Sequence, residues 1–116
     1  MGLVGQPPLS IRIEPTRLSE SLVGREFVYL VTSGGERAHV VALRCTVVGD
    51  RVTMTGTGRS ARSNIDTNPR VSLVWPPTTD AVEFREYTVV ADGSATFHGD
   101  VLEITVSNAV FHRPAP

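Results

Sequence analysis

The sequence predicts a mainly β protein: one small antiparallel barrel of six to seven short strands, with one or two short helices. Three observations carry this. From Arg25 onward apolar residues recur with a period of two or in short continuous runs, the runs are punctuated by glycine-containing pairs, and a single stretch in the middle breaks the period. So many short strands in 116 residues leave either a sandwich or a barrel, and closure favours the barrel because it removes exposed strand edges.

Residues 1–15 hold Pro7, Pro8 and Pro15 among glycines and serines and read as an extended N-terminal arm, leaving 16–116 as a single barrel domain. "PTRLSESLVG" opens a short helix, with Thr16 as N-cap and Gly24 as its stop. "EFVYLVTS" is a strand ending at Gly34-Gly35, "RAHVVALRCTVV" is a second ending at Gly49-Asp50, and "RVTMTGT" is a third. The Gly-Gly and Gly-Asp pairs supply the positive φ angles of two-residue hairpins, so a meander is expected. In "RSARSNIDTNP" the apolar residues Ala61 and Ile65 lie four apart and Pro69 ends the run, which predicts a short helix. "RVSLVW" resumes as a buried strand closed by Pro76-Pro77. Two or three further strands follow, turning at Asp92-Gly93 and Gly99-Asp100.

The formal charge of -1 and a pI near 6.3 argue against nucleic acid as a partner, since neutralising phosphates takes a clustered positive field. The single cysteine, Cys45, cannot close an intrachain disulfide and fits a reducing, cytoplasmic setting. No apolar run approaches the length of a membrane span and the N-terminus lacks a leader pattern, so the chain reads as soluble.

Catalytic motifs are scarce. The sequence has no nucleophile elbow, no H-E-x-x-H, no cysteine pair and no Walker loop. His39, His98 and His112 fall on separate strands and read as surface or core residues rather than metal ligands. Trp75 reads as a core or interface anchor and Tyr87 as a packing residue. The best candidate is the passage from Thr55-Gly56-Thr57-Gly58 into the helix. There a helix N-terminus offers unpaired N–H groups and Arg59, Ser60 and Arg62 surround it, as an anion site would need. Equally, Ser60 caps the helix while the arginines are solvated or pair with Asp66.

"GRSARSNIDTNPRVSLVW" resembles the segment of the pyridoxamine phosphate oxidase-like, flavin-binding split-barrel family in which a basic and hydroxyl-rich turn leads into a helix ending in Asn-Pro-Arg-Val. "RAHVVALRCTVVGDRVTMTG" is similar to that family's ring-facing strands, and "DGSATFHGDVLEITVSNAVFHRP" extends the likeness over most of residues 25–113. The resemblance implies a homodimer with flavin mononucleotide (FMN) in the cleft between protomers and a hydride exchanged with a small organic substrate. It places Arg44 at the end of the ring-facing strand, Thr55 at the strand end near the cofactor and Ser60 in the phosphate turn. Ala61 stands where a lysine is usual, with Arg59 and Arg62 flanking it. The implied binding set is therefore Arg44, Thr55, Arg59, Ser60 and Arg62, with an apolar floor from Val40 to Leu43 and no side-chain acid or base. His39 replaces an arginine of the true oxidases and their C-terminal substrate-binding extension is missing, so that activity is not expected. The deazaflavin F-420, haem or no cofactor are the alternatives within the same family.

Overall fold

The computed structural model describes residues 8–115. Strand β1 (Ser10–Ile13) leads through a 3-10 turn (Pro15–Arg17) into the short helix α1 (Leu18–Ser21). Strands β2 (Val28–Thr32), β3 (His39–Leu43), β4 (Thr46–Val48) and β5 (Arg51–Met54) follow. Helix α2 (Gly58–Thr67) then precedes β6 (Arg70–Trp75), β7 (Thr88–His98) and β8 (Val101–His112). All pairings are antiparallel, in the order β3-β2-β6-β7-β8-β5-β4, with β1 added on β8.

This order explains the curl of the sheet. The run 37–48, expected as one strand, is broken at Arg44-Cys45: its first half pairs with β2 and its second with β5. The two ends of the strand order are thus two residues apart in the chain, and the sheet must roll up to bring them together. The result is a mainly β split barrel with two short helices, as the sequence predicts.

Alternation decides what fills the barrel. In β6 the odd positions Val71, Leu73 and Trp75 are buried, and in β8 so are Leu102, Ile104 and Val106. Each large side chain so buried contributes about 1.5–3 kcal/mol of transfer free energy. Trp75 lies in the core.

Other expectations are corrected. Asp92-Gly93 is not a turn but an irregularity inside the long hairpin β7–β8: Gly93 pairs with Val106 while Asp92 pairs with Asn108, leaving Ser107 as the extra residue. Such a bulge bends a strand without ending it. The Gly34-Gly35 connection spans residues 33–38 rather than two residues, whereas Gly49-Asp50 and Gly99-Asp100 are two-residue turns. Thr16 is not a cap, since it lies within the 3-10 turn, and neither it nor α1 has a side-chain cap. In the segment read as an extended arm, residues 10–13 are extended and pair with β8, and Ile13 enters the core. Residues 1–7 lie outside those described.

Candidate functional site

The local fold around α2 follows from a few residues. Gly56 and Gly58 both take positive φ, 73° and 86°, so the chain reverses sharply between β5 and α2 at a cost only glycine escapes. Ala61, Asn64 and Ile65 face inward. Asn64 donates through Nδ2 to Thr32 Oγ1 at 3.1 Å, and a Cβ at Gly34 would run into the Asn64 carbonyl, so the helix seats directly on the end of β2. At the far end the Asn68 amide donates to the Asn64 carbonyl at 2.7 Å, and its side-chain Oδ1 accepts from the Arg70 amide at 3.1 Å. Pro69 supplies no donor, and its carbonyl takes the Ala95 amide at 2.8 Å. The Asn-Pro-Arg motif is thus a helix stop that launches β6.

With α2 fixed at both ends, its N-terminus opens onto solvent. Thr57 is the N-cap residue and makes no side-chain capping bond, so the first-turn amides keep their capacity to donate. A cleft of about 570 Å³ lies here, lined by Thr55, Gly56, Thr57, Gly58, Arg59, Arg62, Phe97 and Asp100. A second cleft of about 340 Å³ adjoins it at Thr55 and is lined by Arg44, Cys45, Thr46, Thr53, Met54 and Val101.

Four of the five expected binding residues, Arg44, Thr55, Arg59 and Arg62, therefore line this pair of clefts. Ser60 lines neither. It is exposed in the first turn of α2 and does not cap the helix. Arg44 and Arg59 are exposed and, among the described residues, make no side-chain hydrogen bond or ion pair. Arg62 is exposed, and among the described residues it does not pair with Asp66. It donates through Nη2 to the Gly99 carbonyl at 2.7 Å, and its guanidinium carbon sits 3.9 Å from the centroid of the Phe97 ring. Ala61 is fully buried, so this position faces the core rather than the cleft.

Beside the clefts lies an apolar outer surface. In β3 the residues Val40 and Ala42 point outward, as does Arg44 beyond them, while His39, Val41 and Leu43 turn inward. Of the stretch Val40 to Leu43 expected as an apolar floor, Val40 and Ala42 face outward and Val41 and Leu43 do not. Strand register continues the outward face as a row from Ala42 through Tyr29, Val74 and Val90 to Val110. Val40 is 55% exposed and Tyr29 37%.

Among the described residues Asp100 is the one carboxylate lining the clefts, and sequence reasoning did not single it out as a site residue; its place beside Gly99 in the hairpin turn faces α2 only once β7 and β8 pair. Tyr87 is buried and donates its hydroxyl to the Pro8 carbonyl at 2.8 Å. His112 Nδ1 lies 3.0 Å from Ser10 Oγ at the barrel end, and His39 keeps a buried Nδ1 without a partner among the described residues. Burial pushes the Cys45 thiol up, and a hydrogen bond with Trp75 opposes this. Among the described residues no cluster of His, Cys, Asp and Glu could hold a metal, and no helix is long and apolar enough to cross a membrane.

No family model matches the chain, and no curated protein matches its sequence. Solved structures do. An FAD-binding protein from Mesorhizobium loti superposes with a TM-score of 0.69 at 12% identity, over 93% of this chain and 100% of that one. The FMN-binding domain of a flavin reductase-like enzyme from Shewanella baltica gives 0.66 at 9% identity, covering 89% and 77%. An F420 reductase gives 0.58 at 16% identity, covering 80% and 94%. Binding proteins and reductases thus share one architecture, and the fold of this chain is the split β-barrel of the pyridoxamine phosphate oxidase-like, flavin- and F420-binding proteins.

Proposed function

We propose that this protein binds a flavin nucleotide, FMN in the first instance, in a cleft completed by a second copy of the chain, and acts as an oxidoreductase on a small organic molecule. One observation carries the reading. Arg44, Thr55 and Arg59 line two adjoining clefts at an uncapped helix N-terminus, next to an exposed apolar surface on β3 and β2.

The residues present fit a nucleotide phosphate. Arg59 offers a free guanidinium, the first turn of α2 offers backbone donors, and Thr55 offers a hydroxyl. Val40 and Ala42 give an apolar surface for a flat ring system, and Arg44 lies where that surface meets the clefts. Bound flavin would supply hydride transfer, so the chain itself needs only to bind, orient and exclude water. The outward apolar row supports pairing with a second copy, because exposed apolar surface of this extent marks an interaction face. A cytoplasmic setting agrees with the lone cysteine.

The test is titration of the purified protein with FMN, followed by flavin fluorescence. Saturable quenching in the micromolar range is expected. Arg59→Ala should weaken binding about tenfold, as loss of a charge-assisted hydrogen bond costs roughly 1.5 kcal/mol. If FMN gives no quenching and the deazaflavin F-420 does, the protein is a deazaflavin-dependent reductase on the same fold. If neither binds, the barrel serves another ligand or partner without redox chemistry.

A further inference from the structure

The cleft at the α2 N-terminus carries one negative charge beside its phosphate donors. Its far wall is the β7–β8 turn, Gly99-Asp100, and Asp100 lines the cleft together with Arg59 and Arg62. No ion pair of Asp100 is found among the described residues, so its carboxylate is in direct contact with neither arginine. The turn is also held in place. Arg62 donates to the Gly99 carbonyl at 2.7 Å and lies over Phe97 of the same hairpin. Arg62 therefore spends one N–H and one face of its guanidinium on fixing the turn, and Arg59 is the one guanidinium in this cleft without a partner of its own.

We propose that Asp100, fixed by the Arg62 strut, is a specificity-determining residue that sets the charge the cleft accepts, disfavouring a doubly charged phosphomonoester relative to ligands that bring one negative charge or none. This rests on the flavin reading above. A phosphomonoester carries close to two charges at neutral pH, whereas each phosphate of a diphosphate diester carries one. At a separation of roughly 6 Å in a water-filled cleft, a like unit charge weakens binding about threefold per ligand charge. A monoester thus loses about tenfold and a neutral ligand nothing. Arg62 is a positioning residue in this account rather than a direct anion contact.

The experiment compares the protein with Asp100→Asn, titrating each with FMN, FAD and riboflavin at low and high salt. Asparagine suits a turn as well as aspartate does, so the hairpin is retained. Asp100→Asn should tighten FMN about tenfold at low salt and FAD by less, leave riboflavin within twofold, and lose most of its advantage at high salt. An FMN affinity that does not change, or a riboflavin affinity that rises equally, overturns the role of Asp100 while the flavin reading stands. Absence of binding by all three ligands to both proteins overturns the flavin reading and this inference with it.

Discussion

Cys45 shows how a single position can be both hinge and core contact. It follows Arg44 in the two-residue break between β3 and β4, is half-buried against the core, and engages Trp75. Burial disfavours the thiolate and raises the pKa, the larger effect, while the indole N–H stabilises the thiolate and lowers it. The net direction is upward. A thiol raised on folding stabilises the folded state fully below the ordinary cysteine range, and that contribution disappears as pH rises through the folded value. Urea unfolding should therefore show stability falling with pH above the ordinary thiol range, and Cys45→Ala should flatten that limb. Trp75→Phe should also slow the reaction of Cys45 with a thiol reagent at fixed pH, provided the core repacks. At this same scale Ala61 illustrates what the sequence could not disclose. The resemblance puts it, three residues before Asn64 of the helix, where a lysine is usual, but only the helix's rotation against β2, fixed by Asn64 and Gly34, turns it into the core.

Among the elements, the connection 76–87 between β6 and β7 depends on one buried cation. Arg25 is 8% exposed and makes no ion pair among the described residues. Its Nη1 donates to the Tyr87 carbonyl at 2.7 Å and the Pro76 carbonyl at 3.3 Å, and its Nη2 to the Phe84 carbonyl at 2.9 Å and the Glu83 carbonyl at 3.4 Å. Burial pushes its guanidinium below the usual range, and Nε has no partner among the described residues, so carbonyl dipoles and the Phe111 ring, whose centroid lies 5.9 Å from the guanidinium carbon, hold the charge. Arg25→Ala would leave buried carbonyls unpaired and should destabilise the protein by about 3 kcal/mol, measured by urea denaturation, with proteolysis beginning in 76–87. Nothing near Arg25 in sequence announces this role, because its partners are more than fifty residues away. The strands were more legible than their connections. Period-two patterning located β2, β6 and the Gly99-Asp100 turn of the long hairpin. It could not separate a glycine in a turn from Gly93 in a bulge, or see that 37–48 changes partners midway, since both depend on which strand lies opposite.

For the whole molecule, the outer row from Ala42 to Val110 leaves a half-exposed apolar band across five strands. If a second copy covers it, Tyr29→Glu places a charge in the middle of the contact. The outward position lets the barrel fold normally, so circular dichroism should be unchanged while sedimentation shows a shift from dimer to monomer at micromolar concentration. A monomer by sedimentation before any substitution would remove the two-copy cleft. Fold class was readable at this scale because alternation and turn residues are local. The site was readable only as a stretch of chain, since the cleft has a second wall from the β7–β8 turn.

The break at Arg44-Cys45 has a kinetic side as well. Because β3 and β4 are halves of one run, the barrel cannot close by adding a strand at a free end. The chain must satisfy β2 on one flank and, through β5, the distant β8 on the other. Local hairpins can assemble early, but closure waits on pairing between residues about fifty apart in sequence, Arg51 with Thr105, which carries a large entropic barrier. The clefts beside Arg44 and Thr55 straddle that seam, so they are complete only once β5 has paired with β8.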